Sequence, residues 1–245
     1  MSRFDTIEDP RRRQLIRALT AGLLSVGWPL QSAFGQSVFG SRPAKLPPGQ
    51  SIYRLTGTAT VNGAAANLQT VVRPGDTVQT GKDSEMVFAV GGQAMILRAE
   101  SRLSLEGGGS AAAALLLSAL RLVTGKLLSV SRSAQFRVHT PTATIGIRGT
   151  GFYAEADPEQ TYFCTCYGVT EIAANNDPES RDAVSAKHHD KPLYIAAKAP
   201  AGRAIRAAPF INHTDQELML IETLVGRTTP FVFPKDSYGG PRREY

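Results

Sequence analysis

The stretch Thr140-Pro-Thr-Ala-Thr-Ile-Gly-Ile-Arg-Gly-Thr150 constrains the fold of this chain more than any other. Ala143, Ile145 and Ile147 alternate with Thr142 and Thr144, so one face of a strand enters a core and the other is left polar. Pro141 has no N–H to give to a central ladder, which suits it to the first residue of that strand. The pattern breaks at Arg148-Gly149-Thr150-Gly151, where the glycines predict a bulge or tight bend, and Phe152-Tyr153-Ala154 resumes extended structure.

This block resembles the signature of the FecR domain, an envelope regulatory module of Gram-negative bacteria. Gly57-Thr-Ala-Thr-Val61, Val72-Arg-Pro-Gly-Asp-Thr-Val-Gln-Thr80 and Leu122-Val-Thr-Gly-Lys-Leu127 follow the family's order ahead of it, so the resemblance spans roughly residues 51–172. It implies a mainly β fold, either a FecR-like sandwich or a roll or solenoid of many short strands. Signalling members of the family carry a cytoplasmic anti-sigma segment and one membrane span before this domain. The preceding segment here is too short for an anti-sigma module, so the sigma-factor role is not carried over.

Residues 1–35 read as a secretion signal. Arg11-Arg12-Arg13-Gln-Leu-Ile-Arg17 precedes the apolar run Ala18–Leu30, and Ala33-Phe-Gly35 supplies small residues for cleavage. Arg12-Arg13 followed by Leu15-Ile16-Arg17 resembles a twin-arginine motif; an ordinary Sec signal with a basic start is the other reading. The run is short of the ~20 residues that span a bilayer, and Pro29 interrupts it, so no transmembrane span is expected in the mature chain. Periplasmic location follows as the expectation. Losing residues 1–35 removes five arginines and three acids, which lowers the formal charge from +6 to +4. With no dense basic stripe interleaved with aromatics, nucleic acid is not expected as a partner. An envelope protein or a small ligand is. An apolar fraction of 42% is enough to build a core.

Prolines 43, 47 and 48 mark residues 36–50 as a linker. Residues 51–173 form the expected FecR-like β-domain. Its apolar stretches, separated by Gly, Pro and Asp, are Tyr53–Val61, Thr70–Val72, Val78–Thr80, Met86–Val90, Ala94–Arg98 and Arg102–Leu105, then Leu127–Ser131, Gln135–His139, Thr144–Arg148, Gly151–Ala156, Thr161–Tyr167 and Val169–Ala173. Gly91-Gly92 predicts a hairpin turn. Ala111–Leu120 has helical composition, and the expectation there is a short helix or turn leading into a strand. Residues 174–230 form a C-terminal extension: a loop over Asn175–Lys187, strands at Pro192–Lys198 and Arg203–Ala207, and a helix over 214–226. That helix opens on Thr214-Asp-Gln-Glu217, a capping-box pattern, carries Leu218, Ile221, Leu224 and Val225 on one face, and stops at Gly226. Residues 231–245 are a Pro- and Gly-rich tail.

Cys164-Thr-Cys166 holds both cysteines of the chain. On a strand their side chains share a face, which suits a common soft metal ion better than a strained disulfide across extended backbone. The histidines are His139, His188, His189 and His213, and three of the four follow the cysteines within 50 residues. Two thiolates with imidazoles from His188, His189 and His213 make the candidate donor set for zinc or copper(I). An adjacent pair such as His188-His189 on a strand would point to opposite faces, so only one would join. Buried cysteines are also ordinary core residues, and His213 also stands where it could help cap the helix at Thr214. His188-His-Asp-Lys-Pro and Asn-His-Thr-Asp215, together with Cys-Thr-Cys-Tyr-Gly, resemble a subgroup of exported FecR-like proteins.

No catalytic set stands out: there is no G-x-S-x-G elbow, P-loop or H-E-x-x-H. Asp157 and Glu159 read as turn residues around Pro158. Arg148 reads as a structural side chain satisfying carbonyls beside the Gly149 bend. The expectation is a non-enzymatic binding, regulatory or scaffold module, with a metal-binding or thiol-redox protein as the alternative.

Overall fold

Alternation in the chain becomes pairing in space: fourteen strands join into one mixed sheet. A computed structural model describes residues 43–107, 116–133 and 135–231. The first half supplies β1 (Ile52–Thr56), β2 (Ala59–Val61), β3 (Ala64–Ala65), β4 (Thr77–Thr80), β5 (Glu85–Val90), β6 (Gln93–Leu97) and β7 (Arg102–Gly107). Three long strands dominate the second half: β8 (Leu117–Val130), β10 (Ala143–Ala156) and β11 (Gln160–Ala174), with β9 (Phe136–His139) between the first two. The extension adds β12 (Arg181–Ala186), β13 (Leu193–Ala196), β14 (Ile205–Ala207) and helix α1 (Asp215–Leu224).

The main path through the sheet runs β14-β13-β11-β10-β9-β8-β7-β4-β2-β3, while β1, β5 and β6 branch off β8. β10 and β11 pair with each other, and each changes partner along its other edge. β10 pairs with β9 through Thr144–Ile147 and with β8 through Gly151–Ala156. β11 pairs with β13 through Gln160–Phe163 and with β12 through Gly168–Ala173. The change of partner in β10 falls at the predicted break, where the register with β11 shifts between Arg148 and Gly151. Gly149 takes φ 57° there, and Gly168 on the facing strand takes φ 91°. A Cβ on Gly168 would lie 2.6 Å from the Gly149 carbonyl oxygen, so the corner closes only over a bare backbone.

The sheet buries both faces. One carries a continuous apolar cluster drawn from almost every strand, including Ile52, Phe88, Leu103, Leu120, Ile145, Ile147, Phe152 and Phe163. α1 packs on the opposite face, so among the described residues this cluster is built from strand side chains and the loops between them. The second face carries Val87, Ile96, Leu128, Tyr153, Tyr162, Cys164, Cys166 and Tyr167, covered by Leu218, Ile221 and Leu224 of α1. Phe152 and Tyr153 are therefore both buried, on opposite sides of one strand.

Several expectations are corrected. Pro141 precedes rather than opens its strand: β10 starts at Ala143, and Thr140 closes the turn by bonding the Ala143 backbone. Gly149 and Gly168 bend their strands without ending them, so two pairs of short strands become β10 and β11. Gly57 splits Tyr53–Val61 into β1 and β2, and Thr70–Val72 is irregular, tied to Ser51 by two hydrogen bonds. Part of the expected loop 175–187 is β12, whose weak apolar pattern is compensated by pairing along the edge of β11. Arg148 turns outward to Glu171 at 3.2 Å, and the carbonyls at the bend (Arg148 and Val169) receive the Thr150 hydroxyl instead.

Other features follow the pattern read in the sequence. Asp157 accepts the backbone N–H groups of Glu159 and Gln160 in the β10–β11 turn. Gly91 joins β5 to β6 at φ 59°. Thr214 caps α1 with both halves of the capping box formed. The end of the expected linker docks, since Leu46 donates its N–H to Leu224 and packs on the helix side of the sheet. The signal segment and most of the tail lie outside the described residues, as do residues 111–115 of the expected helical stretch; Leu117–Leu120 is already strand. No helix among the described residues is long and apolar enough to cross a membrane.

Candidate metal centre

Strand periodicity sets the first two donors. Cys164 and Cys166 lie two residues apart on β11, on the face covered by the extension, and both are fully buried. Thr165 between them points the other way, its hydroxyl paired with that of Thr170 at 2.8 Å. The two thiols are free, not bridged.

The imidazoles arrive from two other segments. His189 sits in the bend after β12 at φ 53°, and its N–H donates to the Cys166 carbonyl at 2.9 Å. Asp190 holds that bend by accepting the backbone N–H groups of Lys187 and His188. His213 directly precedes the cap of α1, is fully buried and stacks on Tyr153 with ring centroids 4.5 Å apart. Thr214, not His213, caps the helix.

The donor atoms converge. His189 Nδ1 is 3.5 Å from Cys164 Sγ, His213 Nε2 is 3.3 Å from Cys166 Sγ, and the two nitrogens are 3.1 Å apart. All four donors lie within 4.8 Å of one another. With Zn–S near ~2.3 Å and Zn–N near ~2.0–2.1 Å, a tetrahedral ion sets S···N edges at about 3.6 Å and the N···N edge at about 3.3 Å. The cluster therefore has the dimensions of a tetrahedral S2N2 site.

The outer nitrogens decide which way the inner ones face. His213 Nδ1 lies 2.7 Å from the Ile211 carbonyl, which can only accept, so Nδ1 carries the proton. His189 Nε2 lies 3.0 Å from the Asp215 carboxylate and is protonated for the same reason. In the neutral rings the remaining lone pairs, on His189 Nδ1 and His213 Nε2, point at each other across 3.1 Å. Such an arrangement calls for a proton or a cation between them. Carbonyl and carboxylate partners on the far nitrogen are also the usual support for a metal-bound histidine.

Electrostatics favours one negative charge shared by the thiols. The hydrogen bond from Cys166 pulls the Cys164 thiol well below its ordinary range against the opposing effect of burial, and His189 and His213 add to the pull. Burial pushes Cys166 up, reinforced by its hydrogen bond and charge contact with Cys164. Burial works against a charged His189, but its bonds to Cys164 and Asp215 prevail and raise it.

The structure thus gathers Cys164, Cys166, His189 and His213. His188 stays outside that group: its ring is exposed and its Nε2 contacts Asp215 at 2.9 Å. Because His188 and His189 occupy a bend and not a strand, both rings reach Asp215, and only His189 also reaches the thiols. His139 lies on β9 against Thr144, away from the cluster. Asp215, Tyr153 and the Ile211 carbonyl were not singled out from sequence. The signals for Asp215 were the Asn-His-Thr-Asp215 motif and its place in the first turn of a capped helix.

Residues 76–168 match the family described as FecR protein. Two crystal structures of a "putative anti-sigma factor" from Parabacteroides distasonis ATCC 8503 are similar at 14% and 15% identity, each with a TM-score of 0.42 and each covering 54% of this chain and 58% of its own. The chain thus spans under two thirds of their length. No curated protein sequence matches the chain. The match ends two residues after Cys166, so the thiol pair lies inside the matched span and the imidazoles lie in the segment that follows it.

Proposed function

We propose that the protein is a non-enzymatic FecR-type regulatory or scaffold module of the periplasm, in which a single metal ion clamps the C-terminal extension onto the FecR domain. The observation that carries this reading is the convergence of two thiols from β11 with two imidazoles from the extension, their lone pairs turned inward. All four tetrahedral positions are filled by protein side chains, the pattern of structural rather than catalytic zinc, which keeps a position open for water. Zinc fits the S2N2 tetrahedron, and copper(I) shares the preference for thiolate. A thiol-redox role is less well supported, because both sulfurs are shut away from solvent. On this reading the partner is an envelope protein or a small ligand.

The test is metal analysis of the full chain produced with its leader and purified anaerobically from the periplasm, where the mature protein should begin near Gln36. About one zinc or copper per chain is expected, lost in Cys164→Ser/Cys166→Ser. Wild-type protein that holds no such metal and takes up none when supplied overturns the clamp. Full-length protein retained in the cytoplasm overturns the location.

A further inference from the structure

His189 belongs to two groups of donors at once. Its Nδ1 faces the thiols and His213, while its Nε2 faces Asp215, which also contacts His188. His188, His189 and Asp215 bring their own donor atoms within 4.8 Å of one another. The two groups differ in chemistry and in exposure. The inner one is sulfur-rich and sealed. The outer one is two imidazoles and a carboxylate, with the His188 side chain 43% exposed and Asp215 17% exposed. His188 also lies against Phe231, ring centroids 4.7 Å apart, and Phe210 covers His189 at 4.3 Å.

A hydrated divalent ion cannot pass directly to four enclosed ligands; it must exchange its waters stepwise for protein donors. Imidazole and carboxylate are the donors that a hydrated zinc-type ion accepts readily, and thiolate is the one that then retains it. Resting on the clamp reading, we infer that His188 and Asp215 form the receiving site through which a divalent metal ion reaches the buried centre, with His189 at the junction. An arriving ion binds His188 Nε2 and the Asp215 carboxylate; the displaced Nε2 proton of His188 is replaced at Nδ1 from solvent. The ion then moves past His189 onto the two sulfurs, and the protons still held among the sulfurs and the inner imidazole nitrogens leave to water. Asp215 recovers its bond from His189 Nε2–H and holds that ring in place.

Two roles for His188 make opposite predictions. If it only covers the centre with Phe231, removing its ring opens the cover and metal enters faster. If it receives the ion, removing it slows loading. The probe is Co2+, added to anaerobic, metal-free full-length protein, with the rise of sulfur-to-cobalt charge-transfer absorbance followed by stopped flow. His188→Ala is expected to load roughly ten-fold more slowly, equivalent to a modest rise in barrier, and to reach the wild-type end-point absorbance and affinity. That equal end-point shows the inner site still folded. Phe231→Ala is expected to load at least as fast as wild type. Loading of His188→Ala at or above the wild-type rate overturns the receiving site and leaves the clamp intact. A second equivalent of Co2+ held at equilibrium also overturns it, since the outer group would then be a resident site. Wild-type protein that develops no charge-transfer band overturns the clamp reading and this inference with it.

Discussion

Asp215 shows how a single carboxylate serves both the helix and the candidate centre. It stands in the first turn of α1, where a negative charge is favoured by the helix dipole, and it accepts from both His188 and His189. Its bond to His189 Nε2 selects the tautomer whose Nδ1 is free to bind. Asp215→Asn keeps the shape and loses the charge. It should weaken zinc binding about 10- to 100-fold without removing a ligand, as is typical for the partner of a metal-bound histidine, when read by competition with a chromophoric chelator. An unchanged affinity would mean that His189 is oriented by packing against Phe210 alone.

At the scale of the element, β10 shows two regimes along one strand. Through Ala143–Ile147 its inward residues are buried, while Thr144 lies on the half-exposed face and bonds Asn175 at 3.0 Å. From Phe152 to Ala154 both faces are buried, Phe152 and Ala154 in one apolar cluster and Tyr153 in the other beneath α1. Ile147→Ala should therefore cost ~2–5 kcal/mol, the range for large-to-small core changes. Thr144→Ala should cost no more than about 1 kcal/mol, the worth of a solvent-accessible hydrogen bond. Urea denaturation of the two variants decides the matter, and equal losses would place a covering layer over Thr144. The alternation at Thr142–Ile147 made this part of the strand legible. Residues 152–154 have no comparable alternation, because a strand buried on both sides has no polar face to mark it.

For the whole molecule, the ion would add a tie to an extension already joined to the sheet through β12 and β13 on β11. Its helical part packs on the sheet through Leu218, Ile221 and Leu224, receives Leu46 of the linker, and pairs the buried Glu222 with Arg132 and Arg227. Stripping the metal should leave exchange protection of β8, β10 and β11 largely intact while amides of residues 188–231 exchange faster, since local opening is governed by local contacts. Hydrogen–deuterium exchange with and without chelator reads this directly. Uniform loss of protection across the sheet would instead make the ion part of the global fold, as in domains that are unfolded without zinc.

Local order is what the sequence by itself determined: the strand character of Thr142–Ile147, the bend at Arg148–Gly151, the capped helix from Thr214 and the shared face of Cys164 and Cys166. Each is a property of a few consecutive residues, fixed by side-chain period, glycine conformation or a capping side chain. The fate of the histidines was decided by tertiary structure. His188 and His189 are neighbours with the same chemistry, yet only the bend after β12 turns one toward the thiols, and that bend exists because a weakly patterned segment found the open edge of β11. His213 completes the cluster because α1 docks on the second face of the sheet. No local period carries this information: the donors come from three segments more than twenty residues apart, and their meeting depends on which edges pair and which face remains to be covered.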